Sequence, residues 1–451
     1  MYPLFQTGEL TKNKKGVEKK MDRHLIVVSV DAMVFEDLAY AQTLPNMGKL
    51  LRDGAVVQKV RTIYPSLTHP VHAALMSGCT AGKTGITSNE LFAPGKLQKI
   101  WYNRLDQMGC DTIFHAAHRA GLTTAACRWP VTAGGFDVID YLVPEVMEYE
   151  TKETPDLEEL YRKVCTPCLM EQIIKPRLSL LNGARHPYYD IFSIECACDI
   201  IRQYKPNLLM THPGNVDAAR HQNGLFGEAV HRALDEADQW IGQLMQAAND
   251  AGIGDSTTFA VISDHGHLEI KRSIALNVFL RDCGLLQVDE KGRLLDWRAY
   301  AHSTGLSAQI FVKDKPDEPV VEAVLKEMCT EGIYGISEVL NREEAKRRYG
   351  LYGAFAFAVE TDGFTSFRDD WNRPAVRPLD ILDYRFGRST HGHMPEKGPQ
   401  LPMLLCGPAI RPGIVVETGS VLDEAPTFAA ILGISLPEAE GKPILELLQE
   451  A

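Results

Sequence analysis

Apolar runs and amphipathic stretches alternate along most of the chain. Residues 24–30 read HLIVVSV, a nearly continuous apolar run that is rich in β-branched side chains. Such a run is typical of a strand buried on both faces of a parallel sheet. Similar runs occupy residues 207–212 and 258–263, and residues 227–251 between them have the period of a long amphipathic helix. The alternation predicts an α/β fold built on a mainly parallel sheet.

The same rhythm places further elements before and after these strands. The predicted helices cover residues 45–53, 111–120 and 425–432, and the predicted strands cover residues 55–60, 122–127 and 402–406. Residues 131–190 have few periodic signals, and we expect a mostly helical excursion over the functional edge of the sheet. The acidic patch at residues 145–159 within it is most simply a solvated face.

The alternation of predicted strands and helices is interrupted between residues 286 and 375. Residues 308–312, 320–331 and 335–340 there predict a strand, a helix and a strand of a smaller α+β unit. The resulting division is a flexible tail, the first part of a catalytic core, an inserted cap subdomain, and the second part of the core. Their bounds are residues 1–20, 21–285, 286–375 and 376–451.

Composition narrows the class of protein. The 451 residues carry a net charge of −12, which argues against binding to nucleic acid polymers or anionic membranes. No apolar run approaches the roughly 20 residues that span a bilayer. The lysine-rich start has no apolar segment after its charges, so we expect no secretory signal and a cytoplasmic location. The ten cysteines include two close pairs that allow a zinc knuckle, but reduced thiols are the simpler interpretation.

Polar side chains stand where the apolar runs end. Asp31 follows the first strand, and Asp264 and His265 follow the run at 258–263. Open α/β sheets place functional groups at this edge, although a helix-capping role is the simpler interpretation of Asp31 taken alone. Asp217 and His221 are four residues apart, which suits either one metal ion or a surface ion pair on a helix.

Thr68 lies in the segment PSLTHPVH, directly before a predicted helix. Pro70 suits the first helical position, so the Thr68 hydroxyl would lie where free backbone N–H groups favour an anion. An ordinary helix cap is the alternative. Residues 78–85 imitate a phosphate-binding loop, but they are one residue short and follow a helix, so we interpret them as a loop that returns Asn89 to the site.

Together these side chains form one chemical set of carboxylates, imidazoles and a hydroxyl. Its members are Asp31, Thr68, Asp217, His221, Asp264, His265 and His391. The set supplies three protein ligands for each of two divalent ions, an arrangement suited to in-line phosphoryl displacement. Nitrogen-rich ligation favours zinc over magnesium or calcium.

Six short segments, in this order, resemble the alkaline phosphatase superfamily, and most closely its nucleotide pyrophosphatase/phosphodiesterase (type I phosphodiesterase) family. They are SVD at 29–31, PSLTHPVH at 65–72, GITSN at 85–89, DAARH at 217–221, SDHG at 263–266 and THG at 390–392. The resemblance implies an alkaline-phosphatase-like three-layer α/β/α sandwich with a smaller inserted α+β subdomain.

The resemblance also implies roles for individual residues. One zinc ion would be held by Asp217, His221 and His391. A second would be held by Asp31, Asp264 and His265, with Thr68 beside it as the nucleophile. Asn89 matches an asparagine that hydrogen-bonds a phosphoryl oxygen, and the reaction would pass through a phosphothreonine that water hydrolyses.

The substrate follows less directly, because His69 and His212 stand where nucleotide-cleaving relatives have aromatic residues that sandwich the base. We therefore expect a small phosphorylated substrate with these two side chains as binding residues, and a homo-oligomer is possible. A phosphonate hydrolase similar to phosphonoacetate hydrolase, a phosphomonoesterase, and a non-catalytic metal-binding protein are alternatives. His72, His267 and His393 are expected to orient the metal ligands through hydrogen bonds.

Overall fold

The structure is a computed structural model that describes residues 23–96, 99–146, 156–182, 185–380 and 387–449. The strand predicted over residues 24–30 lies at its centre. The proposed tail at residues 1–20 lies outside the described residues. Each face of this first strand packs into a different core, because Leu25 and Val27 belong to one apolar cluster and Ile26 and Val28 to another. Both of its neighbours in the sheet run parallel to it, as the continuous apolar run predicts.

The strands of the described residues are numbered in chain order. They are β1 His24–Ser29, β2 Ala55–Arg61, β3 Thr124–Cys127, β4 Tyr141–Val143, β5 Leu208–Thr211, β6 Thr257–Ile262, β7 Leu268–Glu269, β8 Arg272–Ala275, β9 Leu286–Val288, β10 Leu294–Trp297, β11 Ala299–Ser303, β12 Ser307–Val312, β13 Ile336–Asn341, β14 Phe357–Thr361, β15 Thr365–Arg368, β16 Val376–Arg377, β17 Ser389–Thr390, β18 Leu401–Cys406 and β19 Val415–Ser420. The main sheet has the order β19-β2-β18-β6-β1-β5-β3-β4. Its strands pair in parallel except β18, which is antiparallel to β2 and to β6.

Helices cover both faces of this sheet. They are α1 Leu38–Ala41, α2 Pro45–Asp53, α3 Thr68–Ser77, α4 Ala81–Thr84, α5 Ile113–Arg119, α6 Leu157–Val164, α7 Pro167–Leu169, α8 Tyr188–Tyr204, α9 Asn215–Asn223, α10 Glu228–Asp250, α11 Leu276–Asp282, α12 Glu318–Glu331, α13 Arg342–Tyr349 and α14 Val421–Leu432. Apolar side chains of α3, α5 and α14 fill one core, and those of α2, α8 and α10 fill the other. The expected three-layer α/β/α arrangement with a mainly parallel sheet is therefore confirmed.

Smaller sheets occupy the region where the rhythm breaks. A four-stranded antiparallel sheet has the order β11-β12-β14-β13, and β15, β8 and β16 form another. A third apolar cluster, which includes Leu325 of α12 and Val359 of β14, packs among them. The exact domain bounds given by the sequence stay a prediction.

Three local expectations differ from the structure. Residues 78–85, interpreted as a loop from the sequence, contain the short helix α4. Helix α3 begins at Thr68 rather than Pro70, because the first helical N–H groups have no intrahelical partner and a proline within the first turn loses no hydrogen bond. Within the region at 131–190, residues 131–140 form turns and irregular structure, β4 joins the edge of the main sheet beside β3, and the described helices start only at α6. The short apolar run of β4 was too brief to stand out from the aperiodic sequence around it.

Two simpler features complete the fold. Among the described residues, no helix has both the length and the apolarity that crossing a membrane requires. All ten cysteines are free, and Cys196 and Cys198 are buried side chains of α8 in the second core.

Glu360 of β14 is a buried carboxyl group between the small sheet and the main core. Burial raises its pKa to about 7, although Lys397 Nζ lies 3.3 Å from Oε1. Between the ordinary glutamate pKa and about 7, the unfolded chain releases the proton of Glu360 whereas the folded protein keeps it. The free energy of unfolding therefore falls as the pH rises through this range.

The expected result for Glu360→Gln follows from this fall in stability with rising pH. The variant should lose the decline in stability between about pH 4 and pH 7, and above pH 7 it should be more stable than the parent by up to about 3 kcal/mol. Urea unfolding at pH 5 and pH 8 measures the difference. Glu338→Gln on the neighbouring strand β13 is the control, since Glu338 is partly exposed and paired with Arg348. Equal pH dependence of Glu360→Gln and the parent would refute the assignment.

Candidate metal centre and nucleophile

The candidate residues meet at the carboxyl edge of the main sheet. Asp31 follows β1, Asp264 and His265 follow β6, and Asp217 lies on α9, which follows β5. His391 follows β17 and precedes the antiparallel strand β18, so it reaches the same edge from the opposite direction. Residues far apart in sequence are therefore brought together by strand direction alone.

Asp31, Asp264 and His265 form the first cluster. His265 Nε2 lies 3.4 Å from Asp31 Oδ1 and 3.3 Å from Asp264 Oδ2. Among the described residues, neither of these buried carboxylate oxygens has a hydrogen-bond partner. Burial, together with the facing Asp264, raises the pKa of Asp31 well above its usual range, and burial raises that of Asp264 to about 7. A cation between Asp31 Oδ1 and Asp264 Oδ2 would satisfy both oxygens together.

Asp217, His221 and His391 form the second cluster, and His267 joins it. Asp217 Oδ1 lies 3.2 Å from His221 Nε2, 3.7 Å from His391 Nε2 and 2.8 Å from His267 Nε2. Three imidazole nitrogens therefore surround one oxygen of this carboxylate.

Backbone carbonyls fix the orientation of these imidazoles. His221 Nδ1 lies 2.8 Å from the Ser389 carbonyl oxygen, and His391 Nδ1 lies 3.3 Å from the Ser66 carbonyl oxygen. A carbonyl only accepts, so each Nδ1 carries the proton and each Nε2 presents a lone pair to the cluster. Burial lowers the pKa of His391 well below its usual range, which keeps that ring neutral.

The donors present fit metal ions. The ligand atoms of Asp217, His265, His267 and His391 lie within 4.8 Å of one another, as do those of Asp31, Asp264 and His265. Neutral imidazoles with Nδ1 held by carbonyls are the usual form of metal-binding histidine. The mixture of imidazole and carboxylate suits zinc or a similar transition metal.

Thr68 lies at the first cluster and does not cap its helix. Leu67 is the residue before α3, and no side chain caps that end. The Thr68 hydroxyl oxygen instead lies 3.2 Å from His265 Nε2. His72, one turn later on α3, holds the Thr68 carbonyl with Nδ1 at 2.8 Å and contacts Ser29 Oγ with Nε2 at 3.0 Å. His72 therefore orients the turn that carries Thr68.

Asn89 is held beside the same turn. Its Oδ1 accepts a hydrogen bond of 2.9 Å from the backbone N–H of His69, so its amide NH₂ remains the end that donates. A pocket next to it opens between the Thr68 turn and the loop after β11. The residues that line this pocket are Leu67, Ser88, Asn89, Glu90, Ser303, Thr304, Gly305, Thr390 and His391.

His69 and His212, the candidate substrate-binding residues, are both buried. His69 Nε2 lies 3.2 Å from Glu145 Oε2, and its ring is tilted against Trp101 at 5.1 Å. His212 Nε2 lies 3.1 Å from Asp31 Oδ2, and its ring contacts His72 at 4.1 Å. Protein groups already occupy much of both ring surfaces, and their role toward a substrate stays a prediction.

A buried charge network beside His69 was not found from the sequence. Arg128 lies 3.6 Å from Glu145 and 2.5 Å from Asp190, and its backbone has a positive φ of 55°. Glu145 is therefore not part of a solvated acidic face, because its pairing with His69 and Arg128 allows a buried carboxylate. Residues 147–155 of that acidic patch lie outside the described residues. Arg128 directly follows β3, so the strand-end signal that singled out Asp31 applied to it too.

Comparison with known proteins agrees with this geometry. A model of the family "Type I phosphodiesterase / nucleotide pyrophosphatase" matches residues 25–372. Ectonucleotide pyrophosphatase/phosphodiesterase family member 1 of Rattus norvegicus is 23% identical over 278 residues, which is 58% of this chain and 26% of that protein. Ectonucleotide pyrophosphatase/phosphodiesterase 1 of Saccharomyces cerevisiae is 26% identical over 291 residues, which is 60% of this chain and 36% of that protein.

Solved structures agree in fold. The structure of murine ectonucleotide pyrophosphatase/phosphodiesterase 5 aligns with a TM-score of 0.67 at 18% identity, covering 95% of this chain and all of that one. A structure of an inactive form of the murine protein, in complex with AMP, gives the same values. The chain spans about a quarter to a third of the length of the curated relatives it matches.

Proposed function

Because the chain belongs to the type I phosphodiesterase/nucleotide pyrophosphatase family, we propose that it is a two-metal hydrolase that cleaves a phosphodiester or pyrophosphate bond with Thr68 as nucleophile. The observation that carries the proposal is the position of the Thr68 hydroxyl, 3.2 Å from His265 at a cluster of carboxylate oxygens without donors. A protein that only bound metal would have no use for a hydroxyl at this point.

The proposed cofactors are two zinc ions. Asp31, Asp264 and His265 would hold the one beside Thr68, and Asp217, His221 and His391 the other. Bound zinc lowers the pKa of a coordinated hydroxyl and balances the charge that develops on phosphoryl oxygens. The orphaned oxygens of Asp31 and Asp264 and the inward-facing Nε2 atoms of the histidines support this assignment.

The reaction of Thr68 is a double displacement. Its oxygen forms a bond to phosphorus as the bond to the leaving-group oxygen breaks, which leaves a phosphothreonine ester that water then hydrolyses. His72 supports this step by fixing the Thr68 carbonyl at 2.8 Å, so the hydroxyl keeps one orientation. The positive end of the α3 helix dipole also lies at Thr68, although the His69 N–H is taken by Asn89 Oδ1 and Pro70 has no N–H.

Asn89 would bind a non-bridging phosphoryl oxygen through its NH₂ group. Its carbonyl end is occupied by the His69 N–H at 2.9 Å, which sets the direction of the amide. A donor placed where negative charge develops lowers the barrier by stabilising the transition state.

The proposed substrate is a small phosphorylated molecule, which a nucleotide fits. The pocket at Asn89 contains Glu90, whose Oε2 lies 2.6 Å from Lys99 Nζ. Lys99 is shared between Glu90 and Asp369. His69 and His212 border the site and would shape its selectivity. The cytoplasmic location and the homo-oligomer stay predictions.

A substrate panel tests the reaction class. We expect kcat/KM for bis-p-nitrophenyl phosphate or a dinucleotide pyrophosphate to exceed that for p-nitrophenyl phosphate and for phosphonoacetate, because no arginine clamp for a dianion stands near Thr68 in the sequence. Thr68→Ala is run in parallel to exclude a contaminating enzyme. Turnover of phosphonoacetate or of the monoester alone would replace the diesterase with one of these alternatives.

A further inference from the structure

We propose that His267 is a direct ligand of the ion at Asp217, so that this site has one more imidazole than Asp217, His221 and His391 provide. The inference rests on the proposed two-metal function, and it assigns to His267 more than the supporting role that its place after the Asp264-His265 pair suggested. Its Nε2 is the nitrogen nearest to Asp217 Oδ1 among the three histidines, at 2.8 Å.

The hydrogen bonds around Ser389 fix the proton of His267. The Ser389 hydroxyl donates its single proton to the Arg220 carbonyl oxygen at 2.7 Å. His267 Nδ1 lies 3.0 Å from the same hydroxyl oxygen, which can now only accept from it. The Nδ1 atom of His267 is therefore the donor, and its Nε2 presents a lone pair toward Asp217.

A lone pair that faces a carboxylate oxygen at 2.8 Å is repelled unless a cation lies with them. His221 and His391 present their Nε2 lone pairs to the same oxygen, because their Nδ1 atoms donate to backbone carbonyls. A single proton relieves at most one of these three contacts. A metal ion relieves all of them together, and this is the reason for counting His267 among its ligands.

Ring positions agree with a shared ligand shell. The His267 ring centre lies 4.5 Å from that of His221 and 5.2 Å from that of His391, with the rings tilted by 59° and 48°. Nitrogen atoms bound to one zinc ion at about 2.0 Å in a tetrahedral shell are necessarily only about 3.3 Å apart, so their rings must approach in this way. His393 is also buried on the next loop, but its nitrogens contact the carbonyls of Met394 and Gly266.

The consequence is that the two ions are held unequally. Three imidazoles and one carboxylate are a full tetrahedral set, which is typical of firmly held ions, whereas Asp31, Asp264 and His265 leave a position open beside Thr68. A chelator should therefore remove the ion beside Thr68 first. The second ion should leave only at much higher chelator activity.

Metal affinity of His267→Ala measures the contribution of the side chain. Competition with a chromophoric chelator, followed by metal analysis, should show the tighter zinc site weakened by more than the 10- to 100-fold that loss of an outer-shell partner costs. The weaker site should be unchanged. His231→Ala is the control, because His231 stacks on Tyr40 away from both clusters, and we expect both of its zinc affinities to equal those of the parent.

A measurement on the unmodified protein covers the case in which the variant does not fold. With [¹⁵N]histidine labelling and ¹¹³Cd in place of zinc, His267 Nε2 should show one-bond coupling to cadmium. Absence of this coupling while His221 and His391 show it would overturn the inference and leave the proposed function standing. A protein that takes up no divalent ion would overturn both.

Discussion

Thr68→Ala is expected to lower kcat for a phosphodiester by a factor on the order of 10⁴ to 10⁶, the loss that follows removal of the nucleophile in covalent catalysis. The reason is local, because the hydroxyl that faces His265 at 3.2 Å is the proposed attacking group and no other hydroxyl is assigned to this position. Steady-state and single-turnover assays with bis-p-nitrophenyl phosphate measure the effect.

The controls separate chemistry from folding. Zinc content and thermal stability of Thr68→Ala should stay close to those of the parent, since the carboxylates and imidazoles of both clusters remain. Ser77→Ala at the far end of α3 removes another buried hydroxyl, whose hydrogen bond is to the Ala73 carbonyl, and should retain full activity. Turnover by Thr68→Ala within tenfold of the parent would exclude the covalent route.

Removal of metal is expected to abolish activity and to destabilise the fold at neutral pH. The physical reason is the pair of buried oxygens, Asp31 Oδ1 and Asp264 Oδ2, which have no donor among the residues that the structure describes. An ion present at 100 times its Kd adds about 2.7 kcal/mol to the free energy of unfolding. Prolonged dialysis against a chelator followed by calorimetry should therefore show a lower Tm.

Readdition distinguishes the metals. Zinc should restore both Tm and turnover, whereas magnesium should restore neither, because imidazole nitrogens are poor ligands for magnesium. Activity that survives exhaustive chelation in a protein shown by metal analysis to be empty would contradict the metal assignment. A rise in Tm without a return of turnover would place the fault in the proposed chemistry rather than in the site.

Strand direction explains how much of the site the sequence predicted. Asp31 and Asp264 stand directly after continuous apolar runs, and parallel strands bring such residues to one edge whatever the length of chain between them. Asp217 and His221 were ambiguous as a pair, and the helix α9 does place both on one side. The main sheet followed from the same runs, because a strand buried on both faces has few alternatives.

The rest of the site depends on contacts between distant residues, which leave no pattern in the local sequence. Glu145 belongs to an acidic stretch, and its burial depends on His69 and Arg128, which approach from other strands and turns. The orientation of His267 depends on one serine hydroxyl more than a hundred residues away. Patterns along the sequence report which face of an element is buried, but not which polar partner meets it there.

The stereochemical course at phosphorus tests the central claim most directly. A single isomer of a phosphorothioate diester, hydrolysed in ¹⁸O water, gives a product whose configuration can be assigned. Attack by Thr68 followed by attack of water inverts phosphorus twice, so the account predicts net retention. Net inversion would show that water attacks the substrate in one step, and it would contradict the role given to Thr68.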